Sequence, residues 1–209
     1  DMVRDFTPDG KSILFTSRRE AFTNRFDQAF TIGTNGGAAT PLDIPTVNHA
    51  TYSKDGKYLA YTPLGDRFSM WKNYRGGTIS RIWVMKMADN SVVEIPKPEG
   101  GCNDTRPQWI NGKVDFMGDR NKEFNLFECD PAAKTVMQLT KFKDFPVLNI
   151  NSGGGKIVFE QAGYLHVFDP ETGKHDQINA TVNADIIDVR PYWISDSDNI
   201  RHVGVSPSG

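Results

Sequence analysis

Apolar and polar residues alternate along most of this chain in short runs, and each run stops at a turn signal instead of settling into a helical period. The stretch FTPDGKSILFTS (Phe6 to Ser17) returns 46 residues later as YSKDGKYLAYTP (Tyr52 to Pro63). In both, an Asp-Gly pair provides the backbone of a tight turn, and an alternating strand follows. Degenerate copies stand at INGKVDFMGDR (Ile110 to Arg120) and NSGGGKIVFEQAG (Asn151 to Gly163), and a fifth opens at the terminal VSPSG. A second strand follows each full copy at a similar distance: QAFTIG, RIWVMKM, FNLFECD and YLHVFD. Turns and a short closing strand come next (ATPLDI, VVEIP, VMQLT, HDQIN).

Anchored on Phe15, Tyr61, Phe116 and Phe159, the repeats are 46, 55 and 43 residues apart. Such periods, each built from about four short strands, predict all-β architecture with the four-stranded antiparallel blades of a β-propeller. The expected units are roughly 1–48, 49–104, 105–147 and 148–203, a partial propeller, with 204–209 opening a following one. About four blades with partial units make a fragment of a larger ring, because an unclosed piece leaves sheet faces in need of neighbours. Trp109 (in PQWI) and Trp193 (in PYWI) read as first-strand residues wedged between blades. The turns are expected at Asp9-Gly10, Asp55-Gly56 and the Gly153 to Gly155 run.

Composition narrows the function classes. With 24 Lys and Arg against 26 Asp and Glu, the net charge is −2, which offers no basic face for nucleic acid. No apolar run approaches a membrane span. The sequence starts at Asp1 without a methionine or signal peptide, and both ends look cut. Compartment therefore stays open: periplasm or cell envelope for a bacterial protein with an export signal, cytoplasm otherwise. Cys102 and Cys129, 27 residues apart, read as separate thiols more readily than as a disulfide, and they cannot alone form a zinc site. Sequons at Asn103 and Asn179 matter only in a glycosylating host.

Stretches that imitate catalytic motifs fail on inspection. SGGGKI has Ile150 where a phosphate loop needs its first Gly, and Ile157 where it needs Ser or Thr. GVSPS lacks the final Gly of a nucleophile elbow, and Ser206 fits a propeller turn. DSDN (Asp196 to Asn199) lacks the Gly and Glu of a calcium loop. His49, His166, His175 and His202 show no pairing at helical spacing. No catalytic residue, metal or cofactor is expected in this chain.

The 55-residue interval points to an insertion of about ten residues, GDRFSMWKNYRGGTIS, at the rim of the second blade. Here the sequence resembles the tricorn protease family, in the first, six-bladed propeller of its members. The pattern is Trp71, Lys72, Tyr74, Arg75, Gly76, Gly77, Thr78, then Ile82 and Trp83, and likeness extends through FTPDGK and LHVFDPETGK. The resemblance implies a non-catalytic propeller segment of a serine protease that degrades oligopeptides as a homo-oligomer. The segment would shape a peptide channel and support the proteolytic core. Its partners would be peptides and the rest of its own chain, namely a second propeller and PDZ-like and protease regions. The family's paired arginines fall upstream of Asp1, so Arg18 and Arg19 do not inherit their role. A stand-alone TolB-like interaction module, or the propeller of a prolyl-oligopeptidase-like hydrolase, are the alternatives. Within the rim loop, Gly76-Gly77 is expected to reverse the chain at positive φ, and Trp71 and Tyr74 to pin it. Arg75 either bonds carbonyls or a carboxylate within the fold, or faces a channel and receives peptide carboxylates.

Overall fold

Four antiparallel meanders occupy Asp1–Asn179, which forms one compact unit, while Ala180–Gly209 forms another. The computed structural model describes residues 1–185, 187–195 and 200–209. Blade 1 contains β1 (Met2–Phe6), β2 (Ser12–Ser17), β3 (Gln28–Gly33) and β4 (Thr40–Pro41). Blade 2 contains β5 (His49–Tyr52), β6 (Tyr58–Thr62), β7 (Trp83–Lys86) and β8 (Ser91–Glu94). Blade 3 contains β9 (Asp104–Ile110), β10 (Lys113–Asn121), β11 (Glu123–Asp130) and β12 (Thr135–Gln138). Blade 4 contains β13 (Val147–Gly153), β14 (Lys156–Gln161), β15 (Tyr164–Asp169) and β16 (Lys174–Ile178). Every strand pairs with its sequence neighbour, as in a β-propeller.

The turns form for the reasons their residues suggest. Between β1 and β2, Gly10 N donates to Thr7 O (2.8 Å), and Asp9 Oδ1 accepts from Thr7 Oγ1 (2.7 Å) and Lys11 N (3.1 Å). Blade 2 repeats this with Ser53, Asp55 and Gly56. In blade 3, Asn111 and Gly112 take φ of 48° and 82°, the paired left-handed conformation of a two-residue hairpin.

The hydrophobic cores lie between blades. Leu14 and Ala29 of blade 1 meet Ala50, Leu59, Tyr61 and Met85 of blade 2. Ala60, Ile82 and Val84 meet Val114, Phe116 and Phe127 of blade 3. Met117, Phe124 and Leu126 then meet Ile157, Phe159 and Phe168 of blade 4. Trp109 does wedge between neighbours: it packs on the core between blades 2 and 3 and stacks on Tyr58 at 5.9 Å. Trp193 does not, because it belongs to no strand and is fully exposed. The described residues of 180–209 contain no strand to hold it, only a short 3₁₀ turn at Ile187–Val189. Asp196 to Asn199, read above as an incomplete calcium loop, lie outside the described residues.

An arginine caps the aromatic pair of two blades in the same way. Arg120 lies over Phe116 and Phe127 (5.2 and 5.8 Å) and is held by buried Asp104 (3.0 and 2.7 Å) and by Pro96 O of the preceding blade (2.6 Å). Arg19 lies over Phe15 and Phe30 (4.8 and 5.2 Å) and is held by Asp1 (2.9 Å). Phe15 and Phe30 point away from blade 2, by alternation with Leu14 and Ala29. On the far side, Leu148, Val158, Leu165 and Ile178 share the outward face of blade 4 and remain 38% to 45% exposed.

The first strands β1, β5, β9 and β13 pack successively against one another and are therefore the inner strands. Three of them are bulged. The register slips by one residue at Arg4 in β1, at Arg106-Pro107 in β9 and at Asn149 in β13. Arg106 and Asn149 take left-handed φ of 53° and 45°. A bulge re-aims the side chain that it carries.

Both cysteines are buried free thiols. Cys102 donates to Asp104 Oδ2 (3.2 Å), and burial pushes its thiol well above the usual range. Burial likewise pushes Cys129 up to about 11. Asn103 is fully buried, with Nδ2 committed to Tyr74 O and Asp119 Oδ2, so its sequon takes no glycan in the folded protein; Asn179 is exposed.

Asp115 on β10 is 1% exposed, its Oδ1 has no partner among the described residues, and it sits cross-strand from Glu128. Burial, then the Glu128 charge, push it up to about 7. A native pKa above the unfolded value of 3.8 means that stability is full below pH 3.8 and falls as pH rises from there towards 7. Asp115→Asn should remove that fall. Urea denaturation at pH 8 should show the variant more stable, by on the order of 2–4 kcal/mol. Below pH 3.8 the difference should vanish.

Candidate functional site

The excursion between β6 and β7 runs from Pro63 to Ile82 and begins with a 3₁₀ turn at Arg67–Ser69. Ser69 Oγ donates to Asp66 O (2.6 Å), closing this turn. The chain then reverses at Asn73, whose φ is 63°, where the Gly76-Gly77 pair was expected to do so. Asn tolerates the left-handed region because its short polar side chain bonds locally. Gly76 and Gly77 both lie outside positive φ. Gly76 is required for a different reason: Tyr74 folds over it, and a Cβ there would stand 2.2 Å from the phenolic oxygen. The Tyr74 hydroxyl bonds Thr78 Oγ1 at 3.0 Å.

The anchors also differ from expectation. Trp71 is 70% exposed, with its ring beside that of Tyr74 in the same loop (5.9 Å between rings), so it does not pin the loop to a neighbouring blade. The apolar hold comes from Phe68, packed at a tilt against Phe124 of blade 3 with ring centroids 4.5 Å apart, and from buried Ile79 and Ile82. The polar hold comes from Arg75, whose Nη1 donates to Asp119 Oδ2 (2.7 Å) and to Tyr74 O (3.0 Å). Asp119 is 1% exposed on its side chain and also accepts from Asn103 N (2.7 Å) and Asn103 Nδ2 (2.9 Å). Asn103 Oδ1 accepts from Ser80 N (3.1 Å). Lys72 pairs with Glu123 at 2.5 Å. The loop of blade 2 is thus clasped onto blade 3. A rim hollow of about 440 Å³ beside it is lined by Lys72, Arg75, Asp119, Arg120, Lys122 and Glu123. Three of its four cations already have carboxylate partners.

A second cluster, which the sequence did not reveal, lies on the inner strands. Asp66 Oδ1 accepts from Thr105 Oγ1 (2.6 Å) and Ser80 Oγ (3.2 Å). Asp66 Oδ2 faces His49 Nε2 (3.5 Å) and Arg106 Nε (3.8 Å). Arg4 Nη1 donates to His49 Nδ1 (3.2 Å), which fixes the histidine proton on Nε2, towards Asp66. Burial lowers the His49 pKa more than Asp66 raises it, so the ring is neutral at pH 7. Burial also pushes Asp66 up, but hydrogen bonds from His49 and Thr105 hold it below the usual carboxylate range. With both ring nitrogens engaged, His49 is not placed as a general base. Of the other histidines, His166 is buried against Phe159 (5.1 Å) with neither nitrogen partnered among the described residues. No group of three or more His, Cys, Asp or Glu side chains among the described residues could hold a metal.

Residues 1–174 match the family model of the tricorn protease N-terminal β-propeller domain. The chain belongs to that family. A tricorn protease homolog of Saccharolobus solfataricus is 24% identical over 92% of this chain, which spans only 18% of that relative. The crystal structure of the tricorn protease superposes with a TM-score of 0.76 at 21% identity, covering 88% of this chain and 18% of that one. TolB from Acinetobacter baumannii superposes less closely, with a TM-score of 0.65 at 20% identity over 86% of this chain and 43% of its own. That likeness shows a shared fold.

The clasp of this tricorn-family blade gives a direct expectation. Arg75→Ala strips a buried carboxylate of its one ion-pair partner among the described residues, which should cost on the order of 1–3 kcal/mol. Calorimetric melting of the protein should show a lower Tm. An unchanged Tm would show that Arg75 does not hold the clasp.

Proposed function

We propose that this chain is a non-catalytic propeller segment of a tricorn-type serine protease that degrades oligopeptides. Its role is to shape a peptide channel and to support the proteolytic core. The family match over residues 1–174 carries this reading. The polar inner strands agree with a lumen that meets peptide, and His49, held on both sides, agrees with chemistry located elsewhere. The rim loop of Trp71, Tyr74, Arg75, Gly76 and Gly77 serves this role chiefly as a clasp, leaving Trp71 free to meet a partner surface.

The same proposal makes the four blades part of a larger ring within a homo-oligomer. Arg120 reaches a carbonyl of the blade before it, whereas Arg19, in the equivalent place, has Phe15 and Phe30 capped and no blade beyond. The apolar outward face of blade 4 likewise suits another blade. Residues 204–209 would open the following propeller. In support, Gly209 N donates to Ser206 O (3.0 Å) in the turn that Gly10 and Gly56 make.

A serine-reactive fluorophosphonate separates the readings. The 209-residue chain should stay unlabelled, while the protein read from the gene beyond Gly209 should be labelled at one serine and lose peptidase activity. Stoichiometric labelling within the 209 residues, or a stop codon directly after Gly209, would overturn the proposal, the latter in favour of a TolB-like module.

A further inference from the structure

The last strand of each blade is an open edge, and β8 is the most apolar of the four. β4 has two residues and ends in Pro41, while β16 carries Lys174, His175 and Asp176. β12 exposes one apolar side chain, Met137, whereas β8 sets Val92 and Val93 side by side, 42% and 57% exposed. An edge of β-branched residues with no lysine or proline in the strand is a template for a further strand. The backbone of β8 is turned to suit. Ile95 N donates to Ile82 O (3.1 Å), and the same register continues with Val93 opposite Val84 and Ser91 opposite Lys86. Antiparallel pairs alternate, so Val92 and Glu94 point their N–H and C=O groups away from β7, to the open side. Beside this edge a crevice of about 220 Å³ opens between blades 2 and 3, lined by Val84, Val93, Ile95, Pro131 and Lys134 among others. That is below the roughly 300–1,000 Å³ of cofactor and small-molecule sites, and it suits one or two apolar side chains. Of the charged groups that line it, Lys86 is paired with Asp89 (2.9 Å) and Glu94 with Lys97 (3.0 Å). Lys134 has no carboxylate partner among the described residues.

We propose that β8 is a docking edge for an extended segment of a separate polypeptide. The segment adds a strand to blade 2, places an apolar side chain in the crevice and sets an acidic one against Lys134. Three features select that occupant. The outward main-chain groups of Val92 and Glu94 match a strand, the crevice matches a side chain, and the spare cation matches an acid. Val93 and Lys134 line the same crevice, and side chains of an added strand alternate, so the motif is an apolar residue followed or preceded at two positions by Asp or Glu. Pairing with β8 of a second copy fits less well. The residues that β8 turns to the crevice are Ser91, Val93 and Ile95, none of them acidic, so Lys134 would stay unpaired. The docking edge stands whether or not the protease reading holds.

The test uses the protein read from the full gene, treated with fluorophosphonate, with mass spectrometry confirming that the probe peptides stay intact. Fluorescence anisotropy would follow labelled pentapeptides capped at both ends. Thr-Leu-Thr-Glu-Thr should bind at least tenfold more tightly than Thr-Ser-Thr-Glu-Thr, which lacks the apolar side chain, and than Thr-Leu-Thr-Lys-Thr, which reverses the charge. Lys134→Glu should invert the second preference. Val93→Lys should abolish binding with Tm unchanged, since that side chain is already more than half exposed. Backbone N-methylation reads edge pairing directly: methylating one alternate set of peptide residues should abolish binding, and methylating the other set should leave it. Bound peptide should also slow amide hydrogen exchange at Val92 and Glu94 by tenfold or more. Equal binding of the three peptides, a preference that survives Val93→Lys, or indifference to both methylated sets would overturn the inference. So would a dimer of the protein that Val93→Lys dissociates while no peptide binds, because the edge would then belong to a second copy.

Discussion

Each four-stranded sheet in this protein is too thin to own a core, and everything else in the structure follows from that constraint. A sheet has two faces, and here the inner interfaces are satisfied by the sheet beside each, while Arg19 covers Phe15 and Phe30 on the outward face of blade 1. Leu14, Tyr61 and Met85 form one interface, Phe116 and Val84 the next, Phe159 and Leu126 the third. Stability is therefore a property of neighbouring pairs, as in other repeat architectures. Most polar devices of the fold sit where one blade meets the next. Arg120 joins Asp104 of its own blade to Pro96 of the one before. The Arg75–Asp119–Asn103 network joins the excursion of blade 2 to the second strand of blade 3.

The clasp shows how one insertion can serve an interface without disturbing the repeat. The extra residues leave blade 2 after Thr62 and return before Trp83, so the pairing of β6 with β7 stays regular from Tyr58 to Tyr61. What the insertion adds is reach: Phe68 lies on Phe124 while Lys72 finds Glu123, both on β11. Asp66 stands at the start of the same excursion yet faces the inner strands. One loop therefore couples the outer clasp to the axial cluster through Ser80, whose amide bonds Asn103 and whose hydroxyl bonds Asp66.

The sequence disclosed what is local and hid what is assembled. Asp9-Gly10 and Asp55-Gly56 announce their hairpins because turn chemistry needs only adjacent residues. The spacing of Phe15, Tyr61, Phe116 and Phe159 announces the blades because each occupies the second strand of its sheet. The rim loop was visible as an insertion, but its internal logic was not. Gly76 looked like a hinge and is instead a space beneath Tyr74; Trp71 looked like an anchor and is 70% exposed. Asp66, His49, Arg4 and Arg106 carry no motif at all. They come from three blades and a loop, and two of them depend on bulges, which leave no mark in an apolar–polar alternation.

Those bulges give the axis its character. Regular inner strands would alternate every side chain between the two blade interfaces, leaving only backbone to face the lumen. A one-residue slip at Arg4 and at Arg106-Pro107 breaks the alternation and releases a long cationic side chain inwards without costing the interface its apolar partners: Val3 and Asp5 keep register with Phe15 and Leu14, and Thr105 and Gln108 with Met117 and Asp115. Two blades carry this device with arginine, and blade 4 carries it with Asn149, a neutral residue. Both arginines are met by one carboxylate from the excursion of blade 2: Asp66 shares its oxygens among two hydroxyls, a neutral imidazole and the Arg106 guanidinium, and that imidazole in turn accepts from Arg4.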